Sequence, residues 1–377
     1  MFVGNGALIA TWLVRIPDVR TQLGLTETVL GLVLLGLSIG TVVALPLSGS
    51  ASARFGSRPI TVVGAFVGAA ALASIPWLPG PLPLAVVLVV LGAGTSMTDV
   101  GMNAQGAGVE LGYHRSIMVG FHAAWSFGAV LAAGIGAAAL ALRVPAAWHL
   151  GVMAMAVLVV TVAAAPWLRI RDRARRSRED PGSRLALPHG PLVAIALIAL
   201  GATIGENVAG DWAGIVLADL VGVGPERVAW GFVVFTGTMM LARLVGDRVA
   251  DRVGGPRTIA LGGTMTSVGF LVIAAAPWLS AGTLTVTLVG FAAVGTGVAV
   301  IVPLAFTLGA RLGRSRAEGI AAVATVGYGG FLLAPPIVGF IAERLDLRVS
   351  LALVAVAVFA LTIRAPRVGA AGATGRC

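Results

Sequence analysis

Acids inside long apolar runs are the first residues here that could do chemistry. The chain has 377 residues, 58% hydrophobic and 11% charged. A charge at the centre of a spanning helix costs about 2.5–3.5 kcal/mol on insertion scales, so an acid there needs a reason. One such stretch is Asp99-Val-Gly-Met-Asn103-Ala-Gln105. Asp99 and Asn103 are four residues apart, about 40° round a 3.6-residue helix, and share a face. A carboxylate that gains and loses a proton there couples solute movement to a proton gradient. Asn103 and Gln105 could hydrogen-bond the solute. The plain alternative is an acid near the headgroups that caps a helix end, but an Asp–Asn–Gln cluster is costly as filler.

A second stretch reads Glu206-Asn207-Val-Ala-Gly-Asp211-Trp212. Asn207 and Asp211 share a face; Glu206 lies about 140° from Asp211. Gly201, Gly205, Gly210 and Gly214 flank them and allow close packing or local unwinding. Glu206 and Asp211 are candidates for proton coupling and Asn207 for solute binding. Pairing of one acid with an Arg is the competing account. His122 and Trp125, three apart, are neighbours on one helix face. A sugar ring stacks on an aromatic, and imidazole hydrogen-bonds hydroxyls. Packing and interhelical hydrogen bonding would also explain them. Arg15 and Asp18 form either an outer gate or an exposed loop pair. Exposed pairs are worth little, so the loop pair is expected.

Other chemistries lack their residues. The one cysteine, Cys377, excludes an internal disulfide and a cysteine metal site. Four scattered His have no ligand spacing. No nucleophile–base pair is visible, so an enzyme is not expected. All 26 basic residues are Arg, and a phosphate-binding loop needs Lys, so ATP is not the driver. No cofactor and no metal are expected. The net charge of +10 could suggest nucleic acid. The Arg residues instead sit in short breaks between apolar runs, the pattern of membrane topology.

The elements that must position these groups are helices. Apolar runs near the ~20 residues a bilayer core needs predict helices at 1–14, 27–48, 59–78, 82–105, 116–142, 148–168, 189–218, 227–246, 257–278, 283–309, 318–342 and 349–364. The first is too short to span. It implies an upstream extension in the native gene; otherwise the helix runs past Pro17 and Arg15 becomes intramembrane. Trp77, Trp148, Trp167 and Trp278 lie near predicted ends and read as an interfacial belt. Pro303 and Pro335-Pro336 read as kinks.

The longest polar break, 169–188, holds seven Arg and divides two six-helix halves, 1–168 and 189–377. With both termini and this basic linker in the cytoplasm, 20 Arg fall inside and 6 outside, as the positive-inside rule requires. The halves repeat. Pro76-Trp77-Leu78 returns as Pro277-Trp278-Leu279, and Arg54-Phe55-Gly56 as Arg252-Val253-Gly254. Gly128-Ala-Val-Leu-Ala-Ala-Gly134 parallels Gly330-Phe-Leu-Leu-Ala-Pro-Pro336. A duplicated six-helix unit of this kind is a transporter architecture.

The loop Gly49-Ser-Ala-Ser-Ala-Arg54-Phe-Gly56-Ser-Arg58 resembles the signature between helices two and three of the major facilitator superfamily. Its acid is replaced by Ala53; the second copy keeps it as Asp251-Arg252-Val-Gly254. A tight turn needs the glycine, since φ > 0 is cheap only there. The resemblance implies a gating role for Gly49, Arg54, Gly56, Arg58, Asp251, Arg252 and Gly254. The stretches around Asp99, His122 and Glu206, with Gly327-Tyr328-Gly-Gly, resemble the fucose-permease-like branch, which includes sugar–proton symporters. The expectation is an all-α polytopic protein of the bacterial inner membrane with about twelve spans. It would be a monomer whose partners are lipid, protons and a small polar, sugar-like solute. An exporter of amphipathic compounds is the runner-up; a receptor or membrane enzyme lacks its soluble domain or its site. A periplasm-dependent reporter fused after Pro181 should stay silent; activity there would overturn the topology.

Overall fold

The structure is a computed structural model that describes residues 1–113, 118–168, 188–279, 281–313 and 316–366. Residues 169–187 of the linker, with Arg115, Arg314, Arg367, Arg376 and Cys377, lie outside the described residues. The described residues fall into two compact units. The first comprises 1–168 with Gly224–Ala229, the second 188–223 with 230–366.

The first unit holds α1 (Phe2–Leu23), α2 (Glu27–Phe55), α3 (Ser57–Ser74), α4 (Pro81–Tyr113), α5 (Met118–Ala141) and α6 (Ala146–Ala164). The second holds α7 (Pro191–Ile215), α8 (Trp230–Val253), α9 (Gly255–Ala275), α10 (Thr283–Val298), α11 (Ile301–Leu312), α12 (Arg316–Gly327), α13 (Gly329–Arg344) and α14 (Leu347–Thr362). The pairs α10/α11 and α12/α13 each make one pass. Among the described residues ten spans are long and apolar enough to cross a bilayer, and α14 is a shorter apolar helix; α1 is the remaining long helix. An all-helical chain is what lipid demands, because a helix satisfies its backbone polar groups within itself.

Three boundaries differ from the hydropathy expectation. Helix α1 runs through Pro17 for 22 residues, about 33 Å at 1.5 Å each. The length argument for an upstream extension therefore falls, and Arg15 lies inside the helix. Its stop is Gly24, in the left-handed region at φ 62°, with the Gly24 N–H donating back into the last turn. Helix α2 continues to Phe55, so residues 49–55 are its last turns and not a loop. Ala51 and Ala53 are good helix formers there. Helix α8 continues beyond the expected end at 246 to Val253 and takes in Arg248, Asp251 and Arg252. Charges at a helix end stop a hydropathy window, but they do not stop a helix.

The turns α2–α3 and α8–α9 are each a single glycine. Gly56 has φ 93° and Gly254 φ 91°. Only a residue without Cβ takes that conformation cheaply. The third, sixth and ninth passes end alike, in 3-10 turns Ile75–Trp77, Ala165–Trp167 and Ala276–Trp278. Their Trp side chains are exposed.

Glycine also brings the helices together. A Cβ on Gly40 or Gly92 would collide with the backbone carbonyls of Val89 and Leu37, where α2 and α4 touch. Gly94 of α4 meets Gly64 and Gly68 of α3 in the same way. The second unit repeats the device: Gly295 meets the Phe235 carbonyl, and Gly297 meets Gly262. Leu37 and Phe235 are 198 apart, as are Gly64 and Gly262; Gly92 and Gly295 are 203 apart, as are Gly94 and Gly297. The duplication is thus present in the contacts as well as the motifs.

The units differ in continuity. Helices α4 and α5 are unbroken over their described lengths, whereas their counterparts are interrupted at residues 299–300 and at Tyr328. Pro303 cannot donate to the residue 299 carbonyl, which accounts for the first interruption. At the second, Thr203 of α7 donates its hydroxyl to the Gly327 carbonyl at 2.6 Å. Gly40→Val should force α2 from α4 and cost on the order of 1–3 kcal/mol, read as a lower unfolding temperature in detergent. Gly134→Ala, with open space around it, should leave that temperature unchanged.

Candidate functional site

In the first unit, Asp99 sits beyond the middle of α4. Asn103 donates its amide to Asp99 Oδ1 at 3.2 Å and to the Asp99 carbonyl at 2.9 Å. The shared face is therefore real, and Asn103 holds the carboxylate in place. His122 of α5 lies within electrostatic range of Asp99. It meets the Phe2 ring edge-on at 5.7 Å, and Phe2 stacks on Phe121 at 5.2 Å. One acid, one amide, one imidazole and two aromatic rings thus come from α1, α4 and α5. Trp125 is half-buried one turn along α5, and its carbonyl sits where a Cβ on Gly6 would go.

Gln105 does not join them. It is buried, and its amide donates to Ser57 Oγ at 2.6 Å, at the start of α3. Six residues from Asp99 is about 240° round the helix, so the two point apart. The site-binding expectation for Gln105 gives way to a clip between α3 and α4.

In the second unit, Glu206 of α7 accepts from Arg243 Nη2 of α8 at 3.4 Å. The pairing alternative therefore describes Glu206. Asp211 is 6% exposed, and among the described residues no hydrogen bond or ion pair reaches it. Asn207 is half-buried on the same face. Of the gating residues, Gly49, Arg54, Asp251 and Arg252 are exposed, Arg58 is half-buried, and Gly56 and Gly254 form the two turns. The Arg54 guanidinium lies 5.1 Å from the Phe55 ring centre. Among the described residues no three His, Cys, Asp or Glu side chains gather as a metal site would require.

Two functional-looking groups escaped the sequence. Arg243 was counted with the breaks because Asp247 and Arg248 follow it. The buried stripe Phe232, Thr236, Met239 and Gly246 continues past it at helical spacing, and that was the available signal. Arg15 is not an exposed loop residue. It is 2% exposed and donates Nε to His149 Nδ1 at 3.0 Å, Nη2 to the Val144 carbonyl at 2.8 Å, and Nη1 to Asp18. Asp18 is the local partner the sequence offered; His149 and Val144 lie more than a hundred residues away, so no local pattern announces them.

Comparison with known proteins decides the family. The model of the Major Facilitator Superfamily matches residues 2–205. The chain belongs to the major facilitator superfamily. It is 31% identical over 363 residues to an uncharacterised MFS-type transporter of Yersinia pestis, covering 96% of this chain and 91% of that one. It is 30% identical over 370 residues to an uncharacterised transporter of Sinorhizobium fredii, covering 97% and 95%. Two solved structures share the superfamily fold. The nucleoside transporter NupG superposes with TM-score 0.78 at 13% identity over 98% of this chain and 97% of its own. A D-xylose-proton symporter superposes with TM-score 0.75 at 15% identity over 97% and 95%. The chain is a multi-pass transporter of this superfamily.

The Arg15 network ties α1 to α6 and to the turn before it. With Nδ1 accepting, His149 carries its proton on Nε2, which is buried without a partner. His149→Leu removes the acceptor of a buried guanidinium. It should cost about 1–3 kcal/mol, measured as reduced thermal stability in detergent. The folded fraction should transport normally, since the network holds helices together and touches no solute.

Proposed function

We propose that this chain is a secondary active transporter that moves a small polar, sugar-like solute by alternating access, coupled to protons. The observation that carries the reading is Asp99, an acid deep in α4, steadied by Asn103 and within electrostatic range of His122. Protonation neutralises the carboxylate and allows the site to close. Deprotonation returns the charge to a hydrated opening. The barrier to moving an empty, charged carrier enforces coupling. His122 and Trp125 supply hydrogen bonding and an aromatic face for the solute.

The names of the fold neighbours, a nucleoside transporter and a D-xylose-proton symporter, support a sugar-bearing cargo and symport. The fucose-permease-like motifs support the same class. Within this reading the two six-helix halves are joined by a basic cytoplasmic linker over 169–188, both termini are cytoplasmic, and the protein works as a monomer in the inner membrane. Residues Gly49 to Arg58 and Asp251 to Gly254 serve as gating segments. Export of amphipathic compounds is the second reading; the apolar wall of Phe2 and Phe121 beside Asp99 favours it.

Proteoliposomes test both. Solute-triggered alkalinisation of the outside medium marks symport, and acidification marks exchange. Asp99→Asn mimics the protonated acid without its ability to release the proton. It should abolish proton-driven accumulation while retaining solute exchange. Accumulation with unchanged pH dependence in that variant would remove Asp99 from coupling.

A further inference from the structure

The ion pair Arg243–Glu206 lies far from either end of its helices. Arg243 is the fourteenth of 24 residues in α8. Glu206 is the sixteenth of 30 in the span Pro191–Leu220. A long basic side chain in lipid ordinarily reaches toward the nearer interface. Arg243 has that option, for Asp247 stands one turn along, at the charged end of α8. It pairs instead with Glu206 of α7. Among the described residues Glu206 is its sole hydrogen-bond or ion-pair partner.

The pair is loosely made. A guanidinium has five N–H donors in a planar fork that fits a carboxylate at two points. Here one N–H reaches one oxygen at 3.4 Å. The side chains remain 35% and 27% exposed, so neighbouring protein does not seal the fork. Two turns along the same face of α8, Thr236 is 2% exposed and its hydroxyl has no hydrogen-bond partner among the described residues. Beside Glu206, the Asn207 amide is likewise unengaged among the described residues. Packing alone does not require the pair. With the 198-residue offset of α2 and α8, Leu45 stands in the first unit where Arg243 stands in the second.

We propose that Arg243 recognises a carboxylate on the transported solute, and that Glu206 is the internal carboxylate holding the guanidinium when no solute is bound. The inference rests on the transporter reading and names its cargo as a small hydroxy acid or sugar acid. The incoming carboxylate takes both points of the fork and displaces Glu206. Released from its cation in a low-dielectric setting, Glu206 takes up one proton from water. The empty site holds one positive and one negative group. The loaded site holds Arg243, the solute carboxylate and neutral Glu206, so its net charge is unchanged. The anion is thus accompanied by one proton on Glu206, in addition to the proton that Asp99 carries.

The experiment uses the full chain in detergent and in proteoliposomes. The probes are D-glucuronate, D-gluconate and L-lactate, with D-glucose as the neutral match. At least one carboxylate should raise the unfolding temperature, more strongly as pH falls, and D-glucose should not. Arg243→Lys should weaken that binding on the order of tenfold, since a point charge replaces the fork. Arg243→Gln should abolish it. Glu206→Gln should bind carboxylates more tightly and without pH dependence. Because Arg243→Gln strands an acid, the neutral pair E206Q with R243Q is the folding control, and it too should ignore carboxylates while staying monodisperse. Stabilisation by D-glucose alone, by no carboxylate, or equally in Arg243→Gln would overturn the proposal. If Asp99→Asn still uncouples transport while carboxylates are ignored, the proton-coupled reading stands and this one falls. Carboxylate binding at Arg243 without flux of any bound carboxylate would overturn the assignment of Arg243 to the transported solute.

Discussion

Lipid offers helices no hydrophobic reason to associate, because acyl chains are as apolar as leucine. Close backbone contact must supply the attraction, and the glycines at the crossings make it possible. Gly40 and Gly92 bring α2 and α4 together; Gly64, Gly68 and Gly94 bring α3 and α4 together. Everything polar in the first unit depends on that approach. Asp99 sits on α4, which these contacts seat against both neighbours, and Phe2 and His122 meet because Gly6 lets α1 touch the Trp125 carbonyl. The side chains that could do chemistry are held in place by residues that have none.

The same medium sets the terms for charge. Arg15 is buried, with all three of its nitrogens bonded, to Asp18, His149 and the Val144 carbonyl, which marks it as a fastening. Arg243 lies inside its helix with one long contact, which marks it as unfinished. Asp99 and Asp211 differ likewise. The first has an amide one turn away, and the second has no partner among the described residues. Glu206 and Asp211, neighbours in sequence, are therefore not interchangeable acids. The distinction among such groups is one of donors and acceptors left over, and depth alone does not draw it.

Much of this was legible beforehand. Apolar runs of spanning length marked the passes, because nothing else buries so much carbon in so few residues. The repeat marked its own turns, and Gly56 and Gly254 share a φ that only glycine tolerates cheaply. What stayed hidden was whatever depended on distant partners. Pro17 and Arg15 looked like the end of a helix because His149 and Val144 lie across the fold. Arg243 fell inside the expected helix 227–246, but nothing in its spacing named Glu206 of α7 as its partner. Gln105 looked like part of the Asp99 cluster, yet it turns to Ser57 on α3. Spacing tells which residues share a face; it does not tell what that face meets.

The broken passes of the second unit have a mechanical meaning. A rod of unbroken hydrogen bonds resists bending along its whole length, as α4 and α5 do. A rod in two pieces bends at the joint and stays stiff elsewhere. At Tyr328 the joint is pinned, because the Thr203 hydroxyl takes up the Gly327 carbonyl. The hydroxyl can exchange that acceptor for its own helix carbonyl at residue 199 or 200, both within hydrogen-bond distance. The joint can thus flex without leaving Thr203 unpaired in lipid. Two copies of one ancestral unit have come to differ in stiffness, and the compliance lies in the copy that carries Arg243.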